Sequence, residues 1–157
     1  RWFFKCWPVE QMATLIERLQ ADGHPIVLTS APSIDEKRML DAIQARLKQQ
    51  VCSLSGELSL KELAALTKAA KLFIGVDSAP MHIAAAVGTP TVAMFGPSGE
   101  KQWGPWGGAN RVIVSQHTCR PCGIDGCGGG KISECLSVLT VDEVFRAAQE
   151  LLLEVAQ

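Results

Sequence analysis

Short apolar runs alternate along this chain with longer segments in which apolar residues recur every three or four positions. The runs have the length and composition of buried parallel strands, and they cover residues 25–29, 51–54, 72–76, 91–95 and 111–115. The periodic segments predict amphipathic helices that begin near Pro8, Ser33, Ser59, Pro80 and Thr140. This alternation predicts the α/β class, with a Rossmann-like parallel sheet and helices on both of its faces.

Local signals set the ends of several predicted elements. The helix that begins at Ser33 is expected to continue to Gln50. Ser59 and Glu62 have the spacing of a capping box, and the helix after them is expected to bury Leu60, Leu63, Leu66 and Ala70. Residues 99–108 are rich in glycine, proline and tryptophan and are predicted to form a loop.

Polar residues interrupt the apolar pattern most sharply within residues 72–98. Asp77 and Ser78 follow the third predicted strand and precede a small-residue helix, in which Pro80 occupies the first turn and Gly88 marks the end. This places a carboxylate, a hydroxyl and free backbone N–H groups at the carboxyl edge of a sheet, where α/β proteins bind ligands and helix N-termini favour phosphate. The same two residues also suit a simple helix cap, and both interpretations stay open.

Composition narrows the class of protein. The chain has 157 residues, about one domain's worth, and an ordinary globular composition. A formal net charge of −1 lacks the basic footprint of nucleic-acid binding, so no nucleic-acid partner is expected. No apolar run approaches the roughly 18 residues of a membrane span, and no signal peptide is recognisable. The chain begins at Arg1 without methionine, and we expect it to be part of a longer protein.

Four of the six cysteines cluster near the C-terminus, at Cys119, Cys122, Cys127 and Cys135. The Cys-x-x-Cys spacing at the head of this group is that of metal ligands, and four thiolates would complete a tetrahedral zinc site. A redox pair, free thiols and disulfides fit the same pattern. The sequence therefore leaves the chemistry of this group open.

Two motifs resemble the lipopolysaccharide heptosyltransferases, which are GT-B-fold glycosyltransferases that use ADP-heptose. Residues 76–86 (Val-Asp-Ser-Ala-Pro-Met-His-Ile-Ala-Ala-Ala), followed by residues 95–98 (Phe-Gly-Pro-Ser), are similar to the donor-site signature of that family. Residues 5–8 (Lys-Cys-Trp-Pro) are similar to the Lys-x-Trp-Pro that begins the family's C-terminal domain. The cysteine group, with Cys-Leu at residues 135–136, resembles the heptosyltransferase III type.

The resemblance covers nearly the whole chain and implies a domain organisation. Residues 1–157 would form the C-terminal, donor-binding half of a GT-B enzyme, and the N-terminal acceptor domain would be absent from this chain. In that arrangement Lys5 faces the donor diphosphate, Asp77 holds sugar hydroxyls, and the backbone N–H groups of Ser78 and Ala79 bind the ADP. A solvated surface lysine is the alternative at Lys5.

Further donor contacts are implied elsewhere. A carboxylate near the start of the second helix binds the ribose in this family, and spacing favours Asp35 with Glu36 next, although both also suit a helix dipole. The loop that ends at Leu58 would wall the adenine, and His82 would contact a phosphate or satisfy a backbone group. The implied donor-binding set is Lys5, Asp35, Glu36, Leu58, Asp77, Ser78, Ala79, His82 and Ser98.

Two tryptophans in the predicted loop, Trp103 and Trp106, leave a further choice. They either pack down as a plug or line the sugar end of the cleft or the acceptor path. The sequence does not separate these alternatives.

The implied reaction is the transfer of heptose, with inversion, from ADP-heptose to the lipopolysaccharide inner core. No cofactor is expected. The acceptor and its activating base belong to the missing domain, so this chain alone is expected to bind donor without catalysis. A cytoplasmic location, peripheral to the inner face of the inner membrane, follows by analogy. The alternatives are a GT-B half for another nucleotide sugar and a non-enzymatic metal-binding module built on the cysteines.

Overall fold

The computed structural model describes residues 3–155, and within them strands and helices alternate as predicted. The strands are β1 (Val27–Ser30), β2 (Cys52–Ser55), β3 (Phe73–Val76), β4 (Thr91–Phe95) and β5 (Asn110–Val114). The longer helices are α1 (Val9–Ala21), α2 (Ile34–Gln44), α3 (Leu60–Ala69), α4 (Ala79–Ala86) and α7 (Val141–Val155). Single turns form α5 (Glu100–Trp103) and α6 (Glu134–Ser137).

All strand pairing in the described residues is parallel, but it falls into two groups. β1 pairs with β2, and β4 lies between β3 and β5. The predicted parallel arrangement is confirmed, and among the described residues the pairing forms a two-stranded and a three-stranded group rather than one five-stranded ladder. Side chains join the two groups instead, because α1 contributes Leu15 and Leu19 to the cluster on β4 and Ala13 and Ile16 to the cluster beside β1 and β2.

The core is organised on the two faces of β4. Val92 and Met94 pack with α1 and α7, whereas Ala93 and Phe95 pack with Met81 of α4 on the opposite face. Every residue of β4 is fully buried, which is why this strand reads as a continuous apolar run rather than an alternating one. The prediction of an α/β fold with helices on both faces is confirmed.

Three local expectations are corrected by packing. α2 ends at Gln44 rather than Gln50, because the Gln44 side chain bonds both backbone groups of Val51 as the chain enters β2. The capping box of α3 is present, but Leu60 is 71% exposed and Ala70 is also exposed. α3 packs mainly on α4, and Thr67 is the residue of α3 that is buried.

The third correction concerns the segment predicted to be a loop. Within it, Glu100–Trp103 form the single helical turn α5. The turn ends at Gly104, where an added Cβ would lie 2.5 Å from the Glu100 carbonyl oxygen. A residue with a side chain would therefore push against the end of the turn.

The described helices include none that is both long and apolar enough to cross a membrane. The longest of them, α7, is amphipathic and buries one face against β4 and α1. The apolar residues on that face thus belong to the core.

The two faces of α7 provide a test of this packing. Leu151 is fully buried, so Leu151→Ala should lower the free energy of unfolding by about 2–5 kcal/mol through lost burial and a residual cavity. Leu153, on the same helix, is 67% exposed, and Leu153→Ala should change the free energy of unfolding by less than about 0.5 kcal/mol. Urea unfolding followed by circular dichroism measures both, and equal losses would contradict the assigned core.

Candidate functional site

The carboxyl ends of the strands meet a short N-terminal segment that carries Lys5. Nζ of Lys5 donates to Oδ2 of Asp77 at 2.5 Å, and the Asp77 side chain is only 8% exposed. Asp77 lies just beyond β3, and its backbone N–H donates to the carbonyl of Met94 at 3.2 Å, so it is tied to the neighbouring strand β4. Charges in such a part-buried pair are screened by salt less than those of a surface pair.

The N-terminus of α4 lies next to this pair. Ser78 occupies the N-cap position, but its hydroxyl donates to the carbonyl of Val76 at 3.0 Å and does not cap the helix. Since Asp77 is bound to Lys5, the interpretation of these two side chains as a simple cap is wrong. Among the described residues the N–H groups of Ser78 and Ala79 have no hydrogen-bond partner, and both lie at the positive end of the helix dipole.

His82 lies one turn further along α4 and is exposed. Its side chain makes no hydrogen bond to a described backbone group, so the interpretation that it satisfies one has no support. Its proposed contact with a donor phosphate stays a prediction.

The loops after β1 and β2 lie against each other beside this centre. The hydroxyls of Ser30 and Ser55 are 2.8 Å apart, and the N–H of Gly56 donates to the Ser30 carbonyl at 3.0 Å. Gly56 has φ +72°, and an added Cβ would lie 2.9 Å from Cα of Pro32, so only glycine permits this approach. Leu58 follows in the same loop and is half-buried.

The structure separates the two candidate ribose carboxylates. Asp35 is exposed and pairs with Arg38 at 3.4 Å on the surface of α2. Glu36 turns back toward the loop after β1 and accepts from the N–H of Ala31 at 2.9 Å. Burial raises the pKa of the Cys6 thiol, and the Glu36 carboxylate adds to that rise, so Glu36 lies near the residue that follows Lys5. The geometry thus favours Glu36 over Asp35 as the candidate carboxylate for the ribose, whereas the spacing along the sequence favoured Asp35.

A cavity of about 420 Å³ opens beside Lys5, where the chain leaves β4. Its lining consists of residues 4–5, 97–99, 102–103, 121 and 123. Ser98 is half-buried in this lining, and its contact with a donor stays a prediction. Trp103 lines the cavity and is 51% exposed, whereas Trp106 is 85% exposed and lies outside it. Neither indole is buried, so the interpretation of the tryptophans as a plug is wrong.

Arg120 was not predicted as a functional residue, yet it holds the cavity wall. Its Nε donates to the carbonyl of Gly96 at 2.6 Å, and its Nη2 donates to the carbonyl of Ser98 at 3.4 Å and to Glu100 at 3.1 Å. The Arg120 side chain is 6% exposed. The N–H groups of Cys122 and Gly123 bond the same loop at the Pro97 carbonyl. The sequence shows only that Arg120 lies between two cysteines. No local signal in it indicates that the acceptors of Arg120 lie some twenty residues earlier.

The cysteine cluster has free thiols in the described structure, with Cys119 and Cys127 exposed, Cys122 half-buried and Cys135 buried. Burial raises the pKa of the Cys135 thiol, opposed by the nearby Arg120 guanidinium and reinforced by the other three thiols. Within residues 3–155, no three His, Cys, Asp or Glu side chains are grouped as metal ligands. The alternative of a non-enzymatic metal-binding module is therefore not supported.

Arg120→Met tests the role of this side chain in the loop. We expect the free energy of unfolding to fall by roughly 1–3 kcal/mol, because the buried Gly96 carbonyl and the Glu100 carboxylate lose a charged donor. The matched control is Arg38→Met, which removes an ion pair whose arginine is 76% exposed and should cost at most about 1 kcal/mol. Urea unfolding of both variants gives the comparison, and a loss no larger than the control's would exclude a clamping role.

Thiol alkylation tests the cysteine environment. At pH 8, iodoacetamide should modify the exposed Cys52, Cys119 and Cys127 first, because the raised pKa and burial of Cys6 and Cys135 leave little accessible thiolate. Raising the pH should speed labelling of Cys135, since more thiolate then forms. Peptide mass spectrometry gives the order. Equal rates at Cys135 and Cys119 would contradict the structure, and protection released by a chelator would restore the metal alternative.

The family model described as glycosyltransferase family 9 (heptosyltransferase) matches residues 1–132. A lipopolysaccharide heptosyltransferase 3 from Escherichia coli is 44% identical over 114 residues, which cover 72% of this chain and 33% of that protein. The lipopolysaccharide heptosyltransferase 3 of E. coli strain K12 is 34% identical over 163 residues, covering 98% of this chain and 44% of that protein.

A solved structure extends the similarity to the fold. The structure of E. coli ADP-heptose lipopolysaccharide heptosyltransferase II matches with a TM-score of 0.83 and 27% identity, over 98% of this chain and 44% of that chain. The chain thus spans less than half the length of these relatives. Because the family model matches most of its residues, this chain belongs to glycosyltransferase family 9, the heptosyltransferase family.

Proposed function

We propose that this chain is the donor-binding part of a glycosyltransferase that moves heptose from ADP-heptose to the lipopolysaccharide core. The observation that carries the proposal is the Lys5–Asp77 ion pair at the N-terminus of α4. It brings an ammonium and a carboxylate together with two N–H groups that have no partner within residues 3–155, at the edge where α/β proteins bind nucleotides. The names of the relatives support heptose as the sugar and ADP as the nucleotide.

The cationic side of this centre suits the departing diphosphate. When the bond between the anomeric carbon and the β-phosphate oxygen breaks, its electron pair stays on ADP. Lys5 would then release Asp77 in part and pair with the phosphate, and the N–H groups of Ser78 and Ala79 would donate hydrogen bonds to its negatively charged oxygens. Pro80 has no N–H, so it contributes no donor. The preformed positions of these groups lower the cost of charge development.

The carboxylate of Asp77 suits the sugar. It would hold hydroxyl groups of the heptose and orient the ring, and its negative charge would favour the positive charge that develops at the anomeric carbon. An acceptor hydroxyl would form the new bond from the opposite face, and its proton would pass to a base outside this chain. This displacement inverts the anomeric configuration. The proposed organisation is therefore a donor half here and an acceptor half that supplies the base.

The nucleoside would occupy the loops after β1 and β2. The Glu36 carboxylate is held beside Ala31 and near Cys6, where it would receive hydrogen bonds from vicinal ribose hydroxyls. The loop that ends at Leu58 would cover the adenine. Asp35 faces solvent with Arg38 and is the weaker candidate for the ribose.

The acceptor and the location follow from the same proposal. A lipopolysaccharide core acceptor would reach the site through the second half of the enzyme. The lipid that carries this acceptor would bring the enzyme to the cytoplasmic face of the inner membrane, as a peripheral contact.

Calorimetric titration with ADP tests the diphosphate site. We expect this chain to bind ADP with a micromolar-to-millimolar Kd, unchanged by chelator, and Lys5→Ala to weaken binding roughly 10- to 100-fold through loss of a charged donor. Lys48→Ala, at a lysine side chain that is 90% exposed, is the matched control and should leave the Kd unchanged. A circular dichroism spectrum confirms that each variant is folded.

The sign of the Asp77 effect separates the two roles. Asp77→Asn removes a negative charge beside the phosphates and frees Lys5, so ADP should bind as well as or better than to the wild type while ADP-heptose loses affinity. Tighter binding of UDP than of ADP would indicate that the donor is a nucleotide sugar other than ADP-heptose. Absence of ADP and UDP binding by the folded chain would reject a self-contained donor site.

A further inference from the structure

We propose that Cys119 and Cys122 are a thiol modification site, at which a reversible disulfide forms and fastens the Arg120 contacts with the loop after β4. The two cysteines flank Arg120 and Pro121 within residues 115–126, a segment that contains neither a helix nor a strand. The inference goes beyond the proposed function and does not depend on the identity of the donor.

The segment 115–126 holds the loop that follows β4, residues 96–100, along most of its length. The Arg120 guanidinium donates to three acceptors in that loop. The backbone N–H groups of Cys122 and Gly123 both donate to the carbonyl of Pro97, at 3.1 and 2.9 Å. The position of the loop therefore depends on an irregular segment, and a cross-link within that segment would limit the conformations into which it can open.

The chain does not run straight between the two cysteines. It turns at residues 118–119, where the N–H of Arg120 donates to the carbonyl of His117 at 3.2 Å, and it bends at Pro121. A fully extended chain would separate Cα atoms three residues apart by about 10 Å. A disulfide needs a Cα separation of about 4.4–6.8 Å. The turn and the bend shorten the separation of Cys119 and Cys122 toward that range.

The oxidant is a small-molecule disulfide, such as glutathione disulfide. Cys119 is exposed, so its thiolate attacks one sulfur of the oxidant, and one thiol leaves with the electron pair and takes up a proton. The half-buried Cys122 then attacks Sγ of Cys119 as a thiolate, and the second thiol leaves. The cysteine pair thereby loses two electrons and two protons, and the oxidant is reduced to two thiols.

The other two thiols of the group are poorer partners. Cys135 is 2% exposed, and burial raises the pKa of its thiol, so it supplies little thiolate to compete. Cys127 is exposed, but its N–H donates to the carbonyl of Ile132 at 2.7 Å, which ties it to the following turn. Cys119 and Cys122 are thus the pair whose bond encloses Arg120.

Treatment of the reduced chain with glutathione disulfide tests the site. Peptide mass spectrometry without reductant should find a bond between Cys119 and Cys122 that dithiothreitol reverses. In the oxidised chain, the amide hydrogens of Cys122 and Gly123 should exchange with deuterium at least about threefold more slowly, because the segment opens less often. Amide exchange followed by nuclear magnetic resonance measures this difference.

Three serine variants complete the experiment. Cys119→Ser and Cys122→Ser should each abolish both the bond and the slower exchange. Cys52→Ser is the matched control, because it removes another exposed thiol, on β2, and should leave both results unchanged.

The contrary outcomes are distinct. A bond to Cys127 or Cys135, or glutathione retained on Cys119 beside a free Cys122, would overturn the assigned pair. A bond between Cys119 and Cys122 with unchanged or faster amide exchange would overturn its effect on the loop. Since no nucleotide is present, these outcomes are independent of the titration with ADP.

Discussion

Burial of β4 on both faces is the constraint on which the rest of this structure depends. Its five residues, Thr91–Phe95, are all inaccessible to water, because helices cover both faces and parallel strands pair with both edges. Apolar burial of this extent leaves no place for polar chemistry inside the sheet. The polar residues of the candidate site lie instead where the strands end, at Asp77, Ser78 and Ser98.

The N-terminal segment reaches this edge because it is anchored to the other end of the chain. Trp7 is buried, and its indole N–H donates to the Leu139 carbonyl at 3.0 Å. On α1, Cζ of Arg18 lies 4.0 Å from the centre of the Phe145 ring of α7, and the Arg18 guanidinium pairs with Asp142. These contacts hold α1 against α7 and so place Lys5, only a few residues before α1, beside Asp77. These packing contacts between α1 and α7 therefore determine where the Lys5 ammonium group lies.

The cysteine-rich segment has a similar indirect role in the described structure. Its thiols form no metal-ligand group within residues 3–155, but Arg120 within it binds three acceptors of the loop and turn after β4. A buried guanidinium with several fixed acceptors is a rigid connector, because its planar donors specify direction as well as distance. Within the segment that suggested metal chemistry, Arg120 thus holds the loop that lines the cavity.

By itself, the sequence determined the class of fold, the order of the elements and the stretch that carries the candidate site. These are local properties: apolar periodicity marks strands and helices, and the polar break at Asp77-Ser78 follows a strand wherever the sheet lies. Tertiary structure alone decided which of Asp35 and Glu36 turns toward the site, that Leu60 faces water, and that Arg120 meets Gly96. Adjacent residues on a helix point about 100° apart, and contacts across the chain depend on packing that no local pattern encodes.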